Sequence, residues 1–353
     1  MKQSPAVFES QVVPDPSLFV EFIEDWSIKP DLAIKGRDDI RRRVARALET
    51  GIDSVTIDHF RYSPSKLSLR CTGTWDRKKF FAKILLTDPY PSPGRFWTPW
   101  GNCGVPTGPF RSVRDQIETE WNMTRAVHSL SGGECVPPVL GKSCVERTIV
   151  WEEVSGQRLD QALKRSCWIP ERVKSGARAI SRAGTWLRKI HDSSAQGTQA
   201  IDIVSVIHTL KTITQMRKKR NSQYFPVAIK ILRNVISTTG KDYFSVPVAL
   251  THGDFSLPNL IWEENNRRLS VIDFEFADFR PICHDLFTHT SLLLEQLLNP
   301  LIPKSVILAW EQSFWDGYGP VPSEIPAFVR ALSLSRIFYH RLPRLLLRGE
   351  RLE

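Results

Sequence analysis

His252-Gly253-Asp254-Phe255-Ser256-Leu257-Pro258-Asn259, followed past a polar turn by Ile272-Asp273-Phe274-Glu275, is the stretch on which the reading of this chain turns. Residues 246–251 form a short apolar run leading in and residues 260–262 another leading out. Residues 263–268 make an asparagine-rich turn, and residues 269–272 are a second apolar run. The pattern predicts a β-hairpin ending on Asp273, which brings Asp254, Asn259 and Asp273 to one end of it. Three oxygen-bearing side chains at one point suit phosphate chemistry. Transfer of a phosphoryl group asks a protein mainly for positioning and charge neutralisation. Magnesium takes oxygen ligands and is held by one or two protein groups plus the phosphates. Asn259 and Asp273 have that ligand chemistry. Asp254 is then free to accept the proton of an attacking hydroxyl.

With Pro281-Ile282-Cys283-His284-Asp285-Leu286 added, the set resembles the aminoglycoside phosphotransferase and choline kinase family, small-molecule kinases with a protein-kinase-like fold. The resemblance implies an α+β, two-lobed protein-kinase-like fold, with a small β-rich N-lobe and a larger, mostly helical C-lobe. It implies Asp254 as catalytic base, Asn259 and Asp273 as magnesium ligands, Asp285 as a brace for the catalytic loop, and His252 as a residue orienting that loop. ATP and Mg2+ come with it. Asp278-Phe279-Arg280 stands where such kinases often carry a glycine, a departure that bears on the shape of this segment.

A kinase of this kind needs a strand lysine for the phosphates, a helix glutamate to pair with it, and a loop over the phosphates, all before residue 250. Lys83, an isolated charge in the apolar run Phe80-Phe81-Ala82-Lys83-Ile84-Leu85-Leu86, fits the first. A charge there is costly without a partner; the bland alternative is an edge-strand lysine facing solvent. Residues 54–57 and 68–71 read as strands around Arg61-Tyr62-Ser63-Pro64-Ser65-Lys66, in the place of the phosphate loop but without a glycine between residues 52 and 72. Ser63 and Ser65 with backbone amides would serve there, and Ser-Pro-Ser equally makes a plain turn. Residues 114–130 have helical spacing, with Ile117, Trp121, Thr124 and Val127 or His128 on one side. Glu118 and Glu120 both lie on this helix, and Glu120 is preferred as the partner of Lys83. Residues 148–156 would form a strand and hinge, with Glu152 to Val154 contacting adenine. Residues 183–191 read as a buried helix on which His191 packs or hydrogen-bonds rather than reacts.

The expected organisation is residues 1–50 as an N-terminal extension and helix, and residues 51–154 as a nucleotide-binding N-lobe. Residues 155–353 form the helical C-lobe. Within the N-lobe, residues 87–110 are rich in proline, glycine and tryptophan, and Phe96, Trp97 and Trp100 would form a flap or a plug. At 353 residues the chain is long enough for two cores. No signal-peptide pattern and no run of about 18 apolar residues is present, which makes the cytoplasm the expected location. Six cysteines without paired spacing read as thiols.

The net charge of +10 disfavours polycationic partners and favours an anionic small-molecule acceptor, with sugars, amino alcohols and related metabolites as the class. Residues 217–220 are a basic run that suits a solvated face, and no aromatic-basic module accompanies it, so no nucleic acid is expected. Residues 341–348 interleave leucine with arginine, a pattern that suits either weak contact with an anionic membrane surface or a helix docked on the large lobe. A nucleotide-binding scaffold without turnover is the rival, favoured by the glycine-free loop.

Overall fold

A computed structural model describes residues 32, 34–63, 68–88, 90–91, 110–216 and 225–337. Ser65, the basic runs at 217–220 and 341–348, and Phe96, Trp97 and Trp100 lie outside the described residues.

Helix α1 (Arg37–Ala47) precedes three consecutive antiparallel strands, β1 (Val55–Ser63), β2 (Ser68–Trp75) and β3 (Lys78–Leu85). After helix α2 (Val113–Ser131), strands β4 (Val139–Ser143) and β5 (Thr148–Glu152) complete a sheet of order β1-β2-β3-β5-β4. Strand β3 shows why the sheet is two-faced. Phe80, Ala82 and Ile84 alternate to one side and are buried with Ile40 and Val44 of α1, Val55, Ile57 and Cys71. Phe81 and Lys83 point the other way, toward the rest of the molecule. Lys83 is not an edge residue, because β3 lies between β2 and β5. Helix α1, predicted as part of an extension, packs its apolar stripe onto this sheet, and Arg43 and Arg46 both bond Glu146 before β5.

The remaining chain is mostly helical. Strand β6 (Gln157–Arg158), α3 (Leu159–Ser166) and α4 (Pro170–Ser194) come first, then β7 (Gly197–Asp202), α5 (Ile203–Met216) and α6 (Phe225–Thr239). Strand β8 (Tyr243–Thr251), the hairpin β9 (Leu260–Glu263) and β10 (Arg268–Val271), and β11 (Asp278–Pro281) follow. Helices α7 (Cys283–Leu294), α8 (Lys304–Tyr318) and α9 (Glu324–Arg336) close the described chain. Two small antiparallel sheets, β11-β8-β7 and β10-β9-β6, carry the segments between them. The Asp278-Phe279-Arg280 departure is accommodated as strand β11, paired with β8 from Val248 to Thr251.

The core of this part is built around α4 and α8. Trp186, Leu187 and Ile190 are buried against Trp310, Phe314 and Tyr318. Trp186 stacks on Phe255 with ring centroids 5.6 Å apart and meets Phe274 at 6.4 Å, so this one core tryptophan grips both functional loops. Among the described residues no helix is long and apolar enough to cross a membrane.

Candidate active site

Strand β8 delivers the chain into residues 252–259, and the first turn of α7 holds it there. The Asp285 carboxylate, fully buried, accepts the His252 N–H at 2.6 Å and the Gly253 N–H at 2.9 Å. Burial alone would raise this carboxyl, but His191, hydrogen-bonded to it, and His284 beside it overcome that and hold Asp285 far below the ordinary carboxylate range. His191 lies 3.4 Å from Asp285 through Nε2 and 2.8 Å from the Tyr318 hydroxyl through Nδ1, a tie between helices rather than a cavity residue. Gly253 has φ +80°, and a Cβ there would stand 2.0 Å from the Phe276 carbonyl oxygen, so no other residue fits. His252 bridges the two loops. Its Nε2 lies 3.0 Å from the Ile272 carbonyl, which can only accept, while its Nδ1 accepts the Asp254 N–H at 3.3 Å. These partners select the neutral Nε2–H tautomer.

The hairpin adds a further rung when the Ile272 N–H donates to the Asn259 carbonyl at 3.0 Å, which sets Asp273 beside Asn259. Asn259 Nδ2 donates to the Asp254 carboxylate at 3.0 Å and to its carbonyl at 2.9 Å. An amide that donates through Nδ2 keeps its carbonyl oxygen for a ligand. Asp273 itself has φ +72°, a conformation uncommon outside glycine.

From the sheet side, Lys83 reaches into the same place. Its ammonium is 3.1 Å from Glu120, 3.2 Å from Asp273 and 2.5 Å from Glu275, with the Lys83 and Glu120 side chains each 1% exposed. Glu118, the other glutamate on α2, points away and pairs with Lys142. Trp121, expected in the apolar stripe of α2, lies on its flank under the cations of Arg125 and Lys142. The buried stripe runs instead through Gln116, Ile117, Glu120, Thr124 and Val127. Burial pushes the Glu120 carboxyl up to about 7, with Lys83 pulling it down and Asp273 and Glu275 pushing it up again. Gln116 donates to the Glu275 carbonyl at 3.3 Å, so α2 holds residues 273–275 directly through Gln116 and, by way of Lys83, through Glu120.

Glu275 is the residue that sequence reasoning missed. It stands in the quoted motif, but the irregular backbone after β10 has no periodicity to say which way a side chain points. The oxygens of Glu120, Asp273 and Glu275 lie within 4.8 Å of one another, yet the Lys83 ammonium bonds all three, which makes this trio an ammonium site. The oxygens that remain suited to a divalent cation are those of Asp273 and Asn259.

Lys83, Glu120, Asp254, Asn259 and Asp273 line one cavity of about 510 Å³, walled by Phe81, Trp151 and residues 152–154. Phe81 and Trp151 form the apolar part, their rings 5.8 Å apart. At the hinge the Glu152 N–H donates to Pro138 and the Glu153 N–H to Lys79, so of these three amides Val154 offers the N–H for a ligand. Ser63 ends β1, and its side chain lies outside what the structure describes.

Comparison with known proteins bears on the fold. Residues 149–322 match the model of the phosphotransferase enzyme family, APH. A glucosamine kinase solved with glucosamine, ADP and inorganic phosphate superposes with a TM-score of 0.51 at 14% identity, covering 91% of this chain and 80% of that one. That likeness shows the fold, a two-lobed protein-kinase-like arrangement. The macrolide 2'-phosphotransferase MphH from Brachybacterium faecium is similar over 89% of this chain and 93% of its own, at 10% identity and a TM-score of 0.49. An ethanolamine kinase from Plasmodium vivax is similar over 82% and 75%, at 12% identity and a TM-score of 0.45. No curated protein sequence matches the chain.

Proposed function

We propose that the chain, whose residues 149–322 match the model of the phosphotransferase enzyme family, is a small-molecule phosphotransferase that moves the terminal phosphate of ATP to a hydroxyl of its acceptor in one in-line step. The observation that carries this reading is convergence. Asp254, Asn259 and Asp273 from the helical part and Lys83 from the five-stranded sheet meet on one cavity although they are far apart in sequence.

The donor set fits the nucleotide and its cation. Phe81 and Trp151 offer an apolar slot for a base and Val154 an amide at its edge. Lys83, held by Glu120 and Glu275, presents a positive charge for phosphate oxygens. Asp273 and Asn259 would hold Mg2+, which when bound neutralises the charge of the transferring phosphate. Asp254 orients the acceptor hydroxyl and takes its proton. The hydroxyl oxygen forms the new bond to phosphorus as the bond to the nucleoside diphosphate breaks. The backbone just before Asp254 is fixed by Asp285 through the His252 and Gly253 N–H groups, and the Asp254 side chain by Asn259, so the base is positioned before the acceptor arrives. The acceptor class is a small molecule bearing a hydroxyl, a sugar or amino alcohol or a related metabolite, and the positive net charge favours an anionic one.

Equilibrium binding separates the roles. Asp254→Ala is expected to retain nucleotide affinity within a few fold of wild type. Asp273→Asn is expected to lose the divalent-cation-dependent part of that affinity. Equal losses in both variants would contradict the assignment.

A further inference from the structure

Arg70 lies on β2 directly opposite Lys83 of β3 and opposite Arg61 of β1. Residues paired across neighbouring strands share a face, so three cations stand in a row across the sheet on the side that looks into the cavity. Like charges so paired are unfavourable unless an anion lies against them. Lys83 has its carboxylates. Arg70 has far less. Among the described residues its one hydrogen bond runs from Nη2 to Asp273 Oδ2 at 3.5 Å, which is long for a charged pair, and its buried Nε–H meets no acceptor. A guanidinium carries five N–H donors in a fixed fork suited to phosphate. Arg70 also lines the same cavity as Asp254, Asn259 and Lys83. The chain meanwhile has no glycine between residues 52 and 72, where kinases place a flexible loop whose backbone amides cover the phosphates.

We propose that Arg70 is a phosphate-binding residue that supplies, as a guanidinium, the charge and hydrogen bonds that a glycine-rich loop supplies through backbone amides, and that it takes the terminal phosphate of the nucleotide. In the structure its fork rests loosely on Asp273. With a nucleoside triphosphate bound, Asp273 would be a ligand of the cation and Arg70 would donate to the phosphate. This deepens the phosphotransferase reading and rests on it. The role is one of binding and positioning, separate from proton transfer at Asp254.

The test compares ATP and ADP affinity, measured calorimetrically with Mg2+ in the full-length protein, for wild type, Arg70→Met and Arg70→Lys. Loss of charge-assisted hydrogen bonds to the terminal phosphate predicts ATP binding weaker by about 10–100-fold in Arg70→Met. ADP binding should change by less than about threefold, and Arg70→Lys should fall between, because it keeps the charge and loses the fork. Equal weakening of ATP and ADP, or no weakening of either, overturns the assignment of Arg70 alone. A wild-type protein that binds neither nucleotide overturns the phosphotransferase reading and this inference with it. Thermal unfolding of both variants identifies a folding defect, which would appear as a lowered midpoint and a loss of both nucleotides and would count against the proposal.

Discussion

At the scale of single residues, the site works through carboxylates placed in different environments. Glu120 has an ordinary value of 4.5 and is raised to about 7 by burial. Between those values the folded chain holds a proton that the unfolded chain has released, so stability falls as pH rises across the window. The Lys83 pair has the opposite requirement, because only the carboxylate holds the ammonium. The value of kcat/KM for the nucleotide, which reports groups of the free enzyme, should therefore drop as pH falls through about 7. Glu120→Gln should show a lower plateau without that limb, and the same limb surviving in the variant would assign it elsewhere. Asp285 is a separate case. A carboxylate accepts both the His252 and Gly253 N–H groups, whereas an amide oxygen accepts one and turns its NH2 against the other. Asp285→Asn should cost about 1–3 kcal/mol, the penalty for an unsatisfied buried donor, as read from denaturant unfolding, and should lower turnover as the loop loosens. The carboxylates at 254 and 273 were legible in the sequence because their spacing has few other uses, and Asp285 only through the family resemblance. Glu275 and Arg70 were not. One sits on irregular backbone, and the other alternates with buried Cys71 on a strand whose faces become distinguishable only once β1 and β3 are paired beside it.

At the scale of elements, the catalytic loop is as rigid as the helix pair beneath it. Helices α4 and α8 approach closely because Gly184 and Gly317 face each other's backbones. A Cβ on Gly184 would lie 2.3 Å from the Phe314 carbonyl oxygen, and one on Gly317 would lie 2.0 Å from that of Ser181. Thr185 donates to the Gly317 carbonyl at 3.0 Å across the same contact. Gly184→Ala must push the helices apart and should destabilise the fold by about 1–3 kcal/mol, seen as a shifted denaturation midpoint. Trp186, two residues on, holds Phe255 and Phe274, so the same variant should lose turnover at temperatures where it remains folded. An unchanged midpoint would mean the helices separate at no cost. Strands β3, β9 and β10 and helices α2 and α4 were readable from alternation and spacing. The partnering of α4 with α8 was not, since the glycines that allow it are unremarkable until both backbones are seen in contact.

For the whole molecule, the two parts divide the work: the five-stranded sheet brings Lys83 and the helical part brings the acid groups and the hairpin. The charge of +10 is spread over exposed faces, among them Lys174, Arg178, Arg182 and Lys189 along one side of α4. Such a field draws anions and repels polycations, which orders the acceptors to be tried. Fold and the proposed reaction class follow from motifs whose side chains would contact phosphate and metal. The acceptor does not, because pocket shape differs between proteins that share one catalytic loop. The measurement that bears most directly on the central claim is ATP consumption with Mg2+ against a panel of sugars, sugar phosphates, amino alcohols and aminoglycosides, with Asp254→Ala run alongside. The account predicts that a hydroxyl-bearing small molecule, an anionic one ahead of a polycation, stimulates turnover, and that Asp254→Ala lowers it by about 10²–10⁴-fold. Acceptor-stimulated turnover that survives unchanged in Asp254→Ala would contradict it.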